Sequence, residues 1–426
     1  MFQKQIYNWA GNVSVCVSKV VFPKTENELQ KIVAEFGKVR VCGSLHSWND
    51  HFSNEGILIS LEHYNKVIKI DKLNKKVVVQ SGIKLWQLNK ILDQNGLALP
   101  NLGSIDQQSI AGVISTATHG TGIKFGTLAS FIDCYSLILA DGSKVNIDKT
   151  STLFHAALVS LGAMGVISEV TISVTDAFNL HEKVYALPFS EIIEKFDEFI
   201  NTNDHCKIWW LPPCNKGVVY LCNRVQKPVQ RSVLKQFYKD TVLSVWAYRM
   251  MVFVGNMRPS LRPSINLLLT AQFDKQSHRI DKSYRVFRVP TPPKHRETEW
   301  AFELAKAKQV LQEYYTLIRE SKFTFNFIQE IRVSSKDDFW ISPTYGRNTL
   351  WIGTYNHFDK QWNSILNFFE QFAIKYNARP HWGKEFNVGN SYLKKQYEKF
   401  DDFVGLMHSL DPKGKFANPL LSRIFR

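Results

Sequence analysis

Apolar positions along the 426-residue chain fall into two textures. Up to about residue 175, short apolar runs alternate with stretches of helical period. "KVRVC" (38–42) and "GILISL" (56–61) have the length and β-branched content of strands. "TENELQKIVAEFG" (25–37) carries apolar residues at helical spacing. Thr25 with Glu28 three residues later marks a helix start, and Gly37 marks its stop. "KKVVVQSG" (75–82) reads as a strand and "KLWQLNKILDQNG" (84–96) as the helix after it. Between Leu99 and Gly126 the period fades into a polar, glycine-rich passage. Strands resume in "FIDCYSLILADGSKVNI" (131–147), where Asp141-Gly142 is a hairpin signal. "GVISEVTISVTDAF" (165–178) closes this half.

After residue 176 aromatic-rich strands alternate with amphipathic helices. "CKIWWLPPC" (206–214) and "NTLWIGTYNHF" (348–358) read as strands of a second sheet. "AFELAKAKQVLQEYYTLIRESK" (301–322) and "DKQWNSILNFFEQFAIKYN" (359–377) read as helices. This rhythm fits an antiparallel sheet with helices on one side. The last segment, 392–421, reads as helix then turn. The length fits two domains.

Composition narrows the partners. The formal net charge is +15, which favours anionic partners, yet the basic residues are spread and form no nucleic-acid motif. Nucleic acid is therefore excluded as a partner. The six cysteines are scattered without a Cys-x-x-Cys pair, which fits thiols in a reducing, cytoplasmic setting. The N-terminus has no secretory signal pattern. "TVLSVWAYRMMVFVG" (241–255) is too short to span a bilayer and carries Arg249. It reads as a core helix or as one touching lipid at a membrane surface. No cluster with metal-ligand spacing is visible, so no metal is expected.

Two loops carry candidate chemistry. In Cys42 to Asn49, Gly43 permits a sharp turn and close approach to a ligand, and Ser44 and Ser47 add hydroxyls. Pro100 to Gly122 is long, nearly uncharged and rich in glycine and hydroxyls, which suits a phosphate held by backbone N–H groups. Neither loop matches G-x-G-x-x-G or the Walker pattern.

Together the loops carry a resemblance. "RVCGSLHSWND" (40–50) resembles the Gly-x-x-His-Ser loop of the vanillyl-alcohol-oxidase flavoprotein superfamily. "SIAGVISTATHGTG" (109–122) resembles the second FAD loop of its sugar-1,4-lactone and alditol oxidase branch. "NWAGN" (8–12), "EIRVSSKDDFWISPTYGR" (330–347), "RPHWGKEF" (379–386) and "LDPKGKFANP" (410–419) are similar to further segments of that branch, in order. The resemblance covers nearly the whole chain, with little match from about 225 to 290.

The resemblance implies an α+β, two-domain flavoprotein. An FAD-binding α+β domain spans 1–175, with the C-terminal tail 395–426 packing back. A cap on a large antiparallel sheet spans 176–394. It implies cofactor contacts from Cys42, Gly43, Ser44, Leu45, His46, Ser47, Gly103, Ser104, Ser109, Gly112, Thr118, His119, Gly120, Gly165, Val166 and Lys384. His46 stands where the family links the flavin covalently. Gly103 stands near the flavin C4a–N5 edge, where a glycine leaves room for dioxygen and favours an oxidase over a dehydrogenase.

Ser104 matches a substrate-hydroxyl contact. Glu330 and Arg332 alternate on a strand, so both face one side. The alternative for them is a surface ion pair. Lys384 matches the lysine near flavin N1, and His381 is the neighbouring group for the hydroxyl proton. Thr354 and Tyr355 are expected on a neighbouring strand. The implied reaction oxidises a CH–OH group of a polyol or sugar-1,4-lactone, with hydride to flavin N5 and dioxygen leaving as hydrogen peroxide. A lipid-linked-sugar oxidase is disfavoured because those members do not usually carry the linking histidine.

Overall fold

The computed structural model describes residues 4–230, 248–289, 293–357 and 359–426. The sequence-read strands of the first half form two sheets. Lys19–Val21, Ile57–Ser60 and Val39–Cys42 pair in parallel, in that order. Lys144–Asp148, Ile132–Ile138, Val166–Ser173, Lys76–Gln80 and Val67–Asp71 make a five-stranded antiparallel sheet. Gly142 sits at φ +87° in the turn between Ile132–Ile138 and Lys144–Asp148, the left-handed conformation that Asp-Gly supplies.

Helix Glu26–Glu35 starts where expected: the Thr25 side chain accepts the Glu28 N–H. Its end differs. Phe36 is already extended, so the helix stops at Glu35, two residues before Gly37, and needs no left-handed glycine.

The second half is built on one eight-stranded sheet. Its order is Ser277–Lys282, Asn179–Pro188, Lys216–Val225, His205–Trp210, Gln329–Ser334, Thr349–Asn356, Arg296–Glu303 and Arg379–Pro380. Helices Ala307–Glu320 and Trp362–Lys375 bury Val310, Leu311, Tyr314, Leu366 and Phe369 in the main core. The helix expected to begin at Ala301 begins instead at Ala307. Residues 301–303 end the strand Arg296–Glu303, which pairs with Thr349–Asn356 over its whole length.

The C-terminal segment returns to the first half. Val39 N–H donates to the Lys415 carbonyl at 3.1 Å, and the Arg40 guanidinium donates to the Phe416 carbonyl at 2.9 Å. Phe416 packs with Leu29, Val33 and Ile59. Among the described residues no helix is long and apolar enough to cross a membrane. Of the stretch 241–255, residues 241–247 lie outside the described residues; the rest begins a helix, Tyr248–Met257.

Candidate active site

The loop after strand Val39–Cys42 is held from two sides. "NWAGN" clips it from the N-terminus: Trp9 N–H donates to the Leu45 carbonyl at 2.8 Å, Asn8 Nδ2 to Ser47 O at 2.9 Å and Asn12 Nδ2 to Trp48 O at 2.9 Å. "RPHWGKEF" holds the other side. Trp48 N–H donates to Gly383 O at 2.8 Å, and Asn49 Nδ2 donates to Trp382 O and Lys384 O at 2.7 and 2.9 Å. Leu45, at φ +55°, makes the sharp turn expected of Gly43. Gly43 is needed for room instead: a Cβ there would lie 1.8 Å from Ser109 Oγ. The two loops thus touch through a glycine.

His46 stacks on Trp9 with ring centroids 5.3 Å apart. Burial, with Lys84 and Lys384 nearby, lowers its pKa to about 4. The imidazole is neutral at physiological pH and keeps a lone pair free. Cys42 is the other nucleophile of the loop. Burial pushes its thiol up to about 12, so it is inert.

In the second loop Ser109 caps helix Ile110–Ser115, and Ala117 takes φ +55°. A Cβ on Gly103 would meet His119 O at 3.3 Å and Thr118 Cγ2 at 3.7 Å. Gly120 faces elsewhere: a Cβ there would meet Asn101 Oδ1 at 2.3 Å and Leu102 O at 2.5 Å. It is a packing glycine and does not line the cavity.

The cap brings a polar cluster to these loops. Glu330 and Arg332 share a face of strand Gln329–Ser334, and both are buried, so the surface ion-pair alternative fails. They form an ion pair. Glu330 also accepts from Trp209 Nε1 and Tyr355 OH, each at 2.8 Å. Burial works against the charge, yet Arg332 and Lys207 with the hydrogen bonds from Trp209 and Tyr355 keep the Glu330 carboxyl below its usual range. Arg332 Nη2 donates to Ser104 Oγ at 2.8 Å, joining cap to loop. Tyr355 lines the cavity as expected, whereas Thr354 points away and contacts Tyr314 OH at 3.2 Å.

Lys384 pairs with Glu297 and lies over the Trp48 ring at 4.1 Å. His381 is buried, and its Nδ1 accepts the Gly383 N–H at 3.0 Å. Burial holds its pKa well below the usual imidazole value. The neutral ring therefore carries its proton on Nε2 and faces the cavity as a donor, not as a base.

The fold also gathers what sequence spacing hid. His119, Glu299 and His381 bring ligand atoms within 4.8 Å of one another. This is the type of cluster that was not expected. Part of it is engaged: His119 Nδ1 bonds Gly120 O at 2.9 Å, His119 Nε2 faces Glu299 Oε1 at 3.3 Å, and His381 Nδ1 accepts from Gly383. His119 holds the Glu299 carboxyl low despite burial. The strand Arg296–Glu303 supplies both Glu297 and Glu299, and neither was singled out in the sequence. Trp9, Trp48, Trp209 and His295 were missed likewise. Their signal was indirect: Trp9 and Trp48 lie inside the quoted motifs.

All these groups surround one cavity of about 390 Å³. Except for Gly120 and Thr354, every sequence-expected site residue lines it. The cavity runs from the two loops to the cap strands, and several of its lining atoms are unmet. Ser44 Oγ, Arg332 Nε and Glu297 Oε1 are buried without a hydrogen-bond partner. Buried polar atoms are costly when unpaired. Unmet hydroxyl and donor groups along glycine-lined loops fit a large polar cofactor such as FAD.

Family comparisons agree with that fit. The FAD-binding-domain model matches residues 17–148, and the D-arabinono-1,4-lactone oxidase model matches residues 170–424. The chain belongs to the D-arabinono-1,4-lactone oxidase family. It is an FAD-dependent oxidoreductase. It is 30% identical to an L-gulono-1,4-lactone dehydrogenase of Mycobacterium tuberculosis over 98% of both chains. It is 27% identical to the L-gulonolactone oxidase of Bos taurus, covering 98% of this chain and 97% of the relative. It is 28% identical to an alditol oxidase of Streptomyces sp., over 98% of both. In fold it resembles cholesterol oxidase from Brevibacterium sterolicum, with TM-score 0.83 and 15% identity over 100% of this chain and 97% of that one.

Proposed function

We propose that this protein is an FAD-dependent oxidase of a CH–OH group in a polyol or sugar-1,4-lactone, with the flavin joined to His46. In this reading residues 1–175 with the tail 395–426 form the flavin domain, and 176–394 form the cap. Loops Cys42–Ser47 and Gly103–Thr118, with Gly165 and Val166, would hold the cofactor, and His119 would stand beside them. FAD supplies a two-electron acceptor for the substrate hydride and hands those electrons to dioxygen, giving hydrogen peroxide.

The observation that carries the reading is the Glu330–Arg332–Ser104 chain facing the cavity. A sugar or polyol needs donors and acceptors at fixed spacing. Glu330, already bonded to Trp209 and Tyr355, fixes the Arg332 fork. Arg332 keeps Nε–H open, and Ser104 offers its hydroxyl. Arg332 Nε–H and His381 Nε2–H are donors able to favour the alkoxide of the reacting hydroxyl. Lys384 adds a fixed positive charge, held by Glu297.

The neutral, half-buried His46 supports attachment through an imidazole nitrogen. Gly103 supports dioxygen as the acceptor, because its missing Cβ leaves a gap beside His119 O. A dehydrogenase is the second reading, favoured by the name of the Mycobacterium tuberculosis relative.

The test is a panel of alditols and aldono-1,4-lactones with purified holoprotein, following substrate loss and peroxide. Equal release of oxidised product and peroxide is expected. Product formed only with an artificial electron acceptor would replace the oxidase with a dehydrogenase. No turnover of either class would overturn the substrate reading.

A further inference from the structure

Oxidising CH–OH to C=O releases a hydroxyl proton, and a base has to take it. The polar groups of the cap described so far are poorly suited to that task. Arg332 Nε–H, His381 Nε2–H and Lys384 are donors. Glu330 is saturated by Trp209, Tyr355 and Arg332. Glu299 faces His119.

His295 is different. Strand Arg296–Glu303 turns Glu297 and Glu299 toward the cavity, and the same alternation one step earlier turns His295 there too. The ring is buried. Its Nδ1 lies 2.8 Å from the Pro293 carbonyl, which can only accept, so Nδ1 carries the proton. Nε2 of the neutral ring then keeps its lone pair. That atom is buried and has no hydrogen-bond partner among the described residues. An unpaired buried acceptor is costly, and a substrate hydroxyl in the cavity would pair it.

The ring is also held in place. Trp48 Nε1 donates to the His295 carbonyl at 2.7 Å. The imidazole packs among Trp48, Phe327 and Tyr355, with ring centroids 5.3, 4.7 and 5.4 Å away. A lone pair aimed in advance loses little freedom when it reacts. These neighbours join His295 to both arms of the site. Tyr355 donates to Glu330. Glu297 Oε2 lies 3.8 Å from His295 Nε2 and pairs with Lys384. A proton arriving on Nε2 therefore meets a carboxylate, which favours the charged ring. Glu297 Oε1 is unpartnered as well, but protonating Glu297 would strip Lys384 of its counter-ion. The imidazole is the better acceptor.

We infer that His295 is the catalytic base, its Nε2 taking the hydroxyl proton of the substrate carbinol. The O–H bond breaks and Nε2–H forms, and the electron pair left on oxygen closes C=O. The C–H pair leaves with the hydride to the flavin, and the imidazolium rests beside Glu297. This assignment rests on the proposed oxidation of a CH–OH group.

Holoprotein is mixed anaerobically with each alditol and aldono-1,4-lactone, and flavin bleaching is followed by rapid mixing. His295→Gln keeps a polar side chain but takes up no proton. It is expected to slow reduction by about 10²–10⁴-fold. Its affinity for the oxidised product, read by calorimetry, should stay within about threefold of the parent's. His295→Ala should be slow too, and should recover about tenfold or more with added imidazole. Thiazole, of the same shape but a far weaker base, should not rescue it. Flavin absorbance and melting curves check folding, and His295→Gln carries the test should the alanine variant not fold. Reduction of His295→Gln within about threefold of the parent overturns the assignment and leaves the CH–OH reading standing. Equal rescue by thiazole, or a loss of product affinity that accounts for the whole loss of rate, does the same. A parent reduced by no member of the panel overturns the CH–OH reading, and the assignment falls with it.

Discussion

His46 combines position and protonation state. Its ring rests on Trp9, and burial with two nearby lysines keeps it neutral down to about pH 4. A nitrogen that must attack an electrophilic flavin methyl needs that lone pair. Acid-precipitated protein is therefore expected to keep its flavin fluorescence, and His46→Ala to release it. On mixing apoprotein with FAD, attachment should run at a constant rate from about pH 5 to 8 and fail as pH drops through about 4. Flavin that leaves the parent freely in acid would end the covalent reading. Gly103 allows a second residue-scale experiment. Alanine there meets His119 O at 3.3 Å and Thr118 Cγ2 at 3.7 Å, so it should fold. Anaerobic reduction by substrate should persist, while reoxidation by dioxygen should slow about tenfold or more. Unchanged reoxidation would remove Gly103 from the oxygen argument. Both residues are legible in the sequence because each sits in a motif whose spacing survives in one line. The donor state of His381 is not legible. It depends on the Gly383 N–H, which only the folded turn aims at Nδ1.

At the scale of elements, strand Gln329–Ser334 shows what alternation can reveal. Placing Glu330 and Arg332 on one face follows from a period of two, and both line the cavity. The neighbouring strand Arg296–Glu303 escaped for the opposite reason. In "RETEWAFE" the carboxylates occupy buried positions, 297 and 299, so an inside-apolar pattern misassigns its faces and its end merges with the next helix. Functional sites invert the pattern on which sequence reading depends. The inversion makes the network sensitive. Glu330→Ala leaves Arg332 buried without its counter-ion and strips partners from Trp209 and Tyr355. A loss of about 3–5 kcal/mol in urea unfolding is expected, with turnover abolished. Glu330→Gln, which keeps the shape, should recover most of the stability but little of the activity. Stability of the alanine variant equal to the parent would mean that the pair is not buried in solution.

The whole molecule is tied together by polar groups that cross between its halves. Arg40 reaches from an early strand to the Phe416 carbonyl, and Arg332 reaches Ser104. The tail's return was expected from the sequence, but these partners lie hundreds of residues apart and no local pattern contains them. Asp337 is a third tie. Its Oδ2 accepts from Thr127 at 3.1 Å on one side and from Ser342 and Thr344 at 2.8 and 2.7 Å on the other. Those bonds favour the carboxylate, yet burial outweighs them and raises its pKa from 3.8 to about 6. Between about pH 4 and 6 the folded state therefore holds a proton that the unfolded chain has released. Stability contributed by this group is complete below pH 4 and is lost as pH rises through about 6, a change of about 3 kcal/mol. Other carboxylates act the opposite way: Glu330 and Glu299, held low, lose their contribution as pH falls. The parent's profile alone would mix these effects. Asp337→Asn isolates one of them, since an amide oxygen can still accept from Thr127 while nothing titrates. Urea midpoints at pH 4.5 and 7 should show the variant gaining on the parent by most of that difference as pH rises. Parallel profiles for the two proteins would mean that Asp337 is ionised in the fold and that its three hydroxyl donors outweigh its burial.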